Sequence, residues 1–158
     1  IHPEHLQRVL GYVEAGKREG ARLLVGGERA KTSFRGEDLS RGNYLLPTVF
    51  VGENHMKIAQ EEIFGPVLVA IPFKDEEEAL RKANDTKYGL AAYVFTRDLS
   101  RAFRVAEALE YGIVGVNDGV PSTPQAPFGG VKRSGLGREG GKWGLLEYLE
   151  VKYVSLGL

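Results

Sequence analysis

The 158-residue chain contains no cysteine. Without a thiol, these residues can supply no disulfide, no zinc-thiolate or iron-sulfur ligand and no cysteine nucleophile. An excess of one charge is missing too. The 21 Lys and Arg balance 21 Asp and Glu, which argues against a nucleic-acid partner, since that needs clustered cations. No apolar stretch approaches the roughly 18 residues of a membrane span, and no signal-peptide pattern opens the chain. It reads as a soluble protein with no membrane partner, and a reducing, cytoplasmic setting is the default expectation. Asn, Gln and Met are sparse, as in many thermophilic proteins. The chain opens on Ile1 rather than methionine, which reads as a processed or excised piece.

Glycine, by contrast, is abundant. It occupies 21 of 158 positions, nearly twice the ordinary share of about 7%. Ten of these glycines fall between Gly112 and Gly144, so tight backbone is expected there. Leu6, Val9, Leu10 and Val13 share one face behind Pro3, which predicts an amphipathic helix ending near Gly16 to Gly20. Arg22 to Val25 reads as a short strand, the polar stretch from Glu28 to Gly42 as a loop, and Tyr44 to Val51 as extended structure interrupted by Pro47.

From Pro66 the pattern becomes regular. Val67 to Phe73, Leu90 to Phe95 and Ile113 to Val116 are apolar runs of strand length. Between them lie two helices opened by Asp75 and Asp98, the first with Glu78 in a capping-box spacing. Strand, helix, strand, helix, strand predicts two right-handed crossovers in one parallel sheet. The stretch from Asn117 to Gly130 is then irregular. It leaves the carboxyl end of a strand, where open α/β sheets bind ligands. A helix near 142–149 and an alternating tail suited to an edge strand or to addition to another sheet close the chain.

Gly135-Leu136-Gly137-Arg138-Glu139-Gly140 spells GxGxxG, but a proline-glycine loop precedes it and too little chain follows for the ribose-binding acid, so it reads as a turn entering a helix. His2, His5 and His55 offer no metal set, and no serine is marked as an elbow nucleophile. Glu61-Glu62-Ile63-Phe64 permits two readings. Its carboxylates can accept ribose hydroxyls beside an aromatic face, or they are a solvated pair before a strand. In Ala126 to Gly135, Lys132 and Arg133 can meet an anion, with Ser122 and Thr123 as nearby hydroxyls; an exposed flexible loop is the other reading.

Several segments recur in order along the chain: GYVEAGKREGARLLVGG at 11–27, NYLLPTVF at 43–50, QEEIFGPVL at 60–68, ANDTKYGLAAYVFTRDLSRA at 83–102, VGVNDG at 114–119 and APFGGVKRSGLGREGG at 126–141. With these, the sequence resembles the C-terminal third of the aldehyde dehydrogenase superfamily. Its ending, REGGKWGLLEYLEVKYVSLGL, is most similar to the succinate-semialdehyde dehydrogenase branch.

The resemblance implies a three-layer, Rossmann-like α/β fold with a parallel sheet. Residues 1–149 would form the C-terminal part of the catalytic domain, and 150–158 an oligomerisation strand joining subunits of a homo-oligomer. It implies that Glu62 meets the nicotinamide ribose of NAD or NADP, that Phe64 lies beside the nicotinamide, that Phe128 lines the aldehyde pocket, and that Ser122 and Thr123 help hold a distal carboxylate. In that family a cysteine attacks the aldehyde, and hydride then passes to the dinucleotide. The cysteine, the general-base glutamate, the oxyanion asparagine and the dinucleotide-binding fold match no residues of this chain. The resemblance therefore implies a fragment with no catalytic residue and no metal, inactive alone. The competing expectation is a free-standing, non-catalytic association module of the same fold.

Overall fold

Helix α1 (Pro3–Arg18) forms where the apolar spacing predicts it. His2 caps it by accepting from the His5 backbone N–H, Pro3 sits in the first turn, and Lys17 and Arg18 face the negative end of the helix dipole. Leu6, Val9, Tyr12 and Val13 are buried; Leu10, expected on that stripe, is half-buried. The computed structural model describes residues 2–157, and the chain falls into two compact units that meet in sequence at Lys74 and Asp75.

In the first unit, α1 is followed by β1 (Arg22–Val25), β2 (Thr48–Val51), the single-turn α2 (Lys57–Gln60) and β3 (Val67–Ala70). β2 is central, antiparallel to β1 and parallel to β3, with Phe50 opposite Val69. Parallel neighbours need a crossover connection, and the chain from Gly52 through α2 to Pro66 provides it. The core gathers Val9, Tyr12, Val13, Ala21, Phe50, Met56, Ile58 and Ile63; Phe50 and Val13 are fully buried. Thr48 is the one buried polar residue among those described. Its hydroxyl oxygen accepts from the Gly27 N–H at 2.8 Å, and its O–H donates to the Leu46 carbonyl at 2.8 Å.

In the second unit, α3 (Glu76–Asn84), β4 (Ala91–Val94), α4 (Leu99–Ala108) and β5 (Ile113–Val116) follow in order. Asp75 and Asp98 cap the two helices by accepting from the N–H groups of Glu78 and Arg101. β4 and β5 pair in parallel, Ala91 opposite Ile113 and Val94 opposite Val116. On α3, Glu76 accepts hydrogen bonds from Arg104 and Arg101 of α4, and these guanidinium groups hold its carboxyl below the usual range. A last helix, α5 (Gly141–Leu146), follows the glycine-rich segment.

The α/β class and the parallel pairing agree with the sequence reading, but two of its details do not. The three apolar runs do not share one sheet: β3 pairs with β2, and β4 with β5. Pro47 lies just outside β2 rather than within it, so every residue from Thr48 keeps its N–H and can form a ladder with β3. Residues 150–157 are exposed and carry no strand, so the edge strand expected there is absent from the single chain. A strand exists only as a ladder with a neighbour, and among the described residues none pairs with this tail.

Replacing Thr48 by valine keeps the shape and removes both hydroxyl bonds. The buried Gly27 N–H then loses its partner, so the unfolding free energy is expected to fall by about 1–3 kcal/mol. Denaturant titration checks this; a change below about 0.5 kcal/mol, the scale of an ordinary surface substitution, would exclude the hydroxyl as a tie between the β1 turn and β2.

Candidate functional site

The first candidate segment is the turn from α2 into β3. Ile63 is buried in the core of the first unit, while Glu62 and Phe64 on either side are exposed. Phe64 has a φ of 55°, a left-handed conformation that costs a residue other than glycine about 1–2 kcal/mol. Its neighbours hold it there. His5 Nε2 lies 2.8 Å from the Phe64 carbonyl oxygen, and because a carbonyl only accepts, the imidazole is the donor. The two rings also meet edge to face at 6.4 Å.

The paired glutamates, indistinguishable in the sequence, differ in surroundings. Glu61 is half-buried and accepts from the Tyr12 hydroxyl at 2.9 Å, with Lys57 Nζ at 3.8 Å. Glu62 is exposed, and among the described residues no group donates to its carboxylate; only its backbone carbonyl is engaged, by Arg8 at 3.2 Å. A cavity of about 580 Å³ adjoins the turn, lined by Leu6, Tyr44, Leu45, Phe64 and Pro66, with His5 at its edge. Phe64 of the turn lines this cavity and Glu62 does not; an exposed acceptor-only carboxylate two residues from an exposed aromatic on one turn suits a polyhydroxyl group joined to a flat ring.

The second candidate segment lies in the second unit and starts where β5 ends. Asn117 adopts a φ of 53°, and its side-chain amide acts as one more rung of the ladder, accepting from the Thr96 N–H and donating to the Thr96 carbonyl, both at 2.9 Å. Ser122 and Thr123 follow, both exposed; the Thr123 hydroxyl donates to the Gln125 side-chain carbonyl. Phe128, 39% exposed, exchanges two 2.7 Å backbone bonds with Glu139, and Arg138 donates to the carbonyls of Gly130 and Gly137. At Gly112 a β-carbon would collide with the Gly129 carbonyl oxygen, so only glycine lets the chain entering β5 approach the Phe128-Gly129 backbone. The loop is thus fixed by backbone contacts rather than free.

Glu62 and Phe64 therefore share one turn, and Ser122, Thr123 and Phe128 share one loop. Lys132 departs from the sequence reading. Its ammonium donates to the carbonyls of Asn84 and Thr86, at the end of α3, and meets Glu110 at 2.7 Å. The anion it meets is one of the protein's own side chains. The GxGxxG segment forms turns into the six-residue α5, with Gly135, Gly137 and Gly140 at positive φ. Sequence reasoning missed His5, Arg8 and Tyr12. Their spacing of three and four puts them on one face of α1, a signal hidden beside the stronger apolar stripe.

Comparison with known proteins fits these features. The profile of the aldehyde dehydrogenase family matches residues 1–154. An NADP(+) succinate-semialdehyde dehydrogenase of Escherichia coli (strain K12) is 48% identical over the whole of this chain and 31% of its own length. The crystal structure of HpcC from Thermus thermophilus is similar with 73% identity and a TM-score of 0.92, covering 100% of this chain and 33% of that one. The NAD+ complex of an aldehyde dehydrogenase from Bacillus cereus is similar with 44% identity and a TM-score of 0.89, over 96% of this chain and 30% of that one. The chain thus spans about a third of the length of the relatives it matches, and its ordered motifs, its turn and its glycine-packed loop have one common explanation: it belongs to the aldehyde dehydrogenase family.

Proposed function

We propose that these residues form the C-terminal part of an NAD(P)-dependent, cytoplasmic aldehyde dehydrogenase that oxidises succinate semialdehyde to succinate, and that they are inactive without the remainder of the enzyme. The observation that carries the reading is Glu62, an exposed carboxylate to which no group donates among the described residues, two positions from the exposed Phe64 with its constrained backbone. This donor set fits a nicotinamide nucleoside: the carboxylate accepts from the ribose hydroxyls, and Phe64 covers a face of the ring and keeps water from it. When bound, the dinucleotide takes up the hydride released from the substrate.

The second segment serves the aldehyde. Phe128 offers an apolar wall to the carbon chain, and the hydroxyls of Ser122 and, on exchanging its bond to Gln125, of Thr123 donate to the distal carboxylate that distinguishes a semialdehyde from a simple aldehyde. The succinate-semialdehyde activity of the Escherichia coli relative supports that substrate, and the NADP(+) and NAD+ named for the relatives support a nicotinamide cofactor. The thiol that attacks the aldehyde in this family is not supplied here, because the chain has no cysteine. The tail from 150 to 156 is exposed throughout, with Val151 at 99%, and carries apolar Val151, Tyr153, Val154 and Leu156. It is suited to complete its ladder against another subunit of a homo-oligomer.

Three outcomes are expected. The purified 158-residue chain shows no turnover of succinate semialdehyde with NAD+ or NADP+; measurable turnover would overturn the assignment. In the complete enzyme, Glu62→Gln lowers the hydride-transfer rate by about tenfold, roughly 1.4 kcal/mol in the barrier, with the melting temperature nearly unchanged. Stopped-flow rates equal to those of the parent would remove Glu62 from the ribose site. Deletion of residues 150–158 shifts the complete enzyme toward smaller assemblies in analytical ultracentrifugation, whereas an unaltered sedimentation profile would leave the tail without a bridging role.

A further inference from the structure

Three side chains on one face of α1 each grip a different point of the Glu61–Phe64 turn. Tyr12 donates from its hydroxyl to the Glu61 carboxylate at 2.9 Å, Arg8 donates to the Glu62 carbonyl at 3.2 Å, and His5 donates to the Phe64 carbonyl at 2.8 Å. Their order along the helix runs opposite to that of the residues they hold, so the helix and the turn lie antiparallel. Between these grips, Val9 packs against Gly65, where a β-carbon would fall 2.8 Å from its Cγ1. Tyr12 is the firmest of the three grips: its ring is buried in the core and lies beneath two cations, Arg8 at 5.8 Å and Lys57 at 5.7 Å. Its hydroxyl reaches a carboxylate, and a hydrogen bond to a charged acceptor is stronger than one between neutral groups.

We infer that Tyr12 is a positioning residue for the dinucleotide: by fixing Glu61 it sets the direction in which the adjacent Glu62 carboxylate leaves the turn. This rests on the ribose role proposed for Glu62. Glu61 accordingly never touches the cofactor. Its charge is spent on Tyr12 and Lys57, which leaves the second carboxylate of the pair as the one available to a ligand.

The test uses the complete enzyme and two readouts, the dissociation constant for NAD+ or NADP+ by isothermal titration calorimetry and the steady-state constants. Tyr12→Phe keeps the buried ring and loses only the hydroxyl. It is expected to weaken dinucleotide binding and raise its KM by about fivefold, leaving the aldehyde KM and the melting temperature close to the parent's. Glu61→Gln retains an acceptor for the hydroxyl and should stay within about twofold, whereas Glu61→Leu should match Tyr12→Phe. Glu62→Gln serves as the reference. If it weakens dinucleotide binding while Tyr12→Phe does not, the positioning role is overturned and the ribose role stands. If neither variant alters binding, both are overturned.

Discussion

The burial of one branched side chain, Ile63, governs the candidate cofactor turn. Ile63 sits in the cluster built by Val9, Val13, Phe50 and Ile58, and removing such a residue from the core costs about 1.5–3 kcal/mol in transfer free energy. With Ile63 anchored inward, its neighbours Glu62 and Phe64 are left on the surface, the second turned there by its left-handed backbone. The same anchor fixes the distance to Val67, where β3 begins its parallel register with Thr48. An acidic residue and an aromatic one thus become neighbours on the surface because an aliphatic residue between them cannot be there. The left-handed strain at Phe64 persists because packing on one side and the His5 bond on the other overdetermine it.

The second unit solves a comparable problem with backbone instead of side chains. Few of its residues are deeply buried; among the described residues Leu109 is the one large apolar side chain buried there. Its glycine-rich loop is instead fastened by carbonyls and N–H groups: Phe128 to Glu139, Gly141 to Pro124, Val131 to Gly89. Such contacts need main chains to approach closely, which explains why the glycines concentrate after Gly112. The large exposed apolar residues of this unit, Phe95, Leu99 and Phe103 among them, agree with a chain spanning about a third of its relatives' length.

Helices α1, α3 and α4 were legible because their information is local: apolar residues at three- and four-residue spacing, and Asp75 and Asp98 at the caps. Sheet membership was not. Which strand β3 pairs with depends on a contact back to Thr48–Val51, and no spacing within residues 67–73 encodes it. At the candidate site, the pairing of acids with an aromatic stood out in Glu61-Glu62-Ile63-Phe64, yet the division of labour between the two glutamates depends on Tyr12, far away in sequence. Neither alternative open for Lys132, a ligand anion or an exposed loop, anticipates its partners, because a cation in a glycine loop looks available until the end of α3 and Glu110 are brought to it. The GxGxxG letters form turns that lead into α5, as their proline-glycine surroundings predict, and a 3-10 turn rather than a strand precedes them.

Asparagine is scarce in this chain, and two of its four copies are used in the same way. Asn117 joins both backbone groups of Thr96, while Asn84 donates to the Ala108 carbonyl and accepts from the Glu110 N–H. Each spends both ends of its amide as a substitute peptide group, one extending the β4–β5 ladder, the other tying the ends of α3 and α4. Amide hydrolysis would convert either residue to aspartate, which accepts but cannot donate. A carboxylate oxygen would then face a carbonyl oxygen across the former bond, turning attraction into repulsion. Shielding of two amides from deamidation is thus one chemical condition for keeping this unit's ties at high temperature.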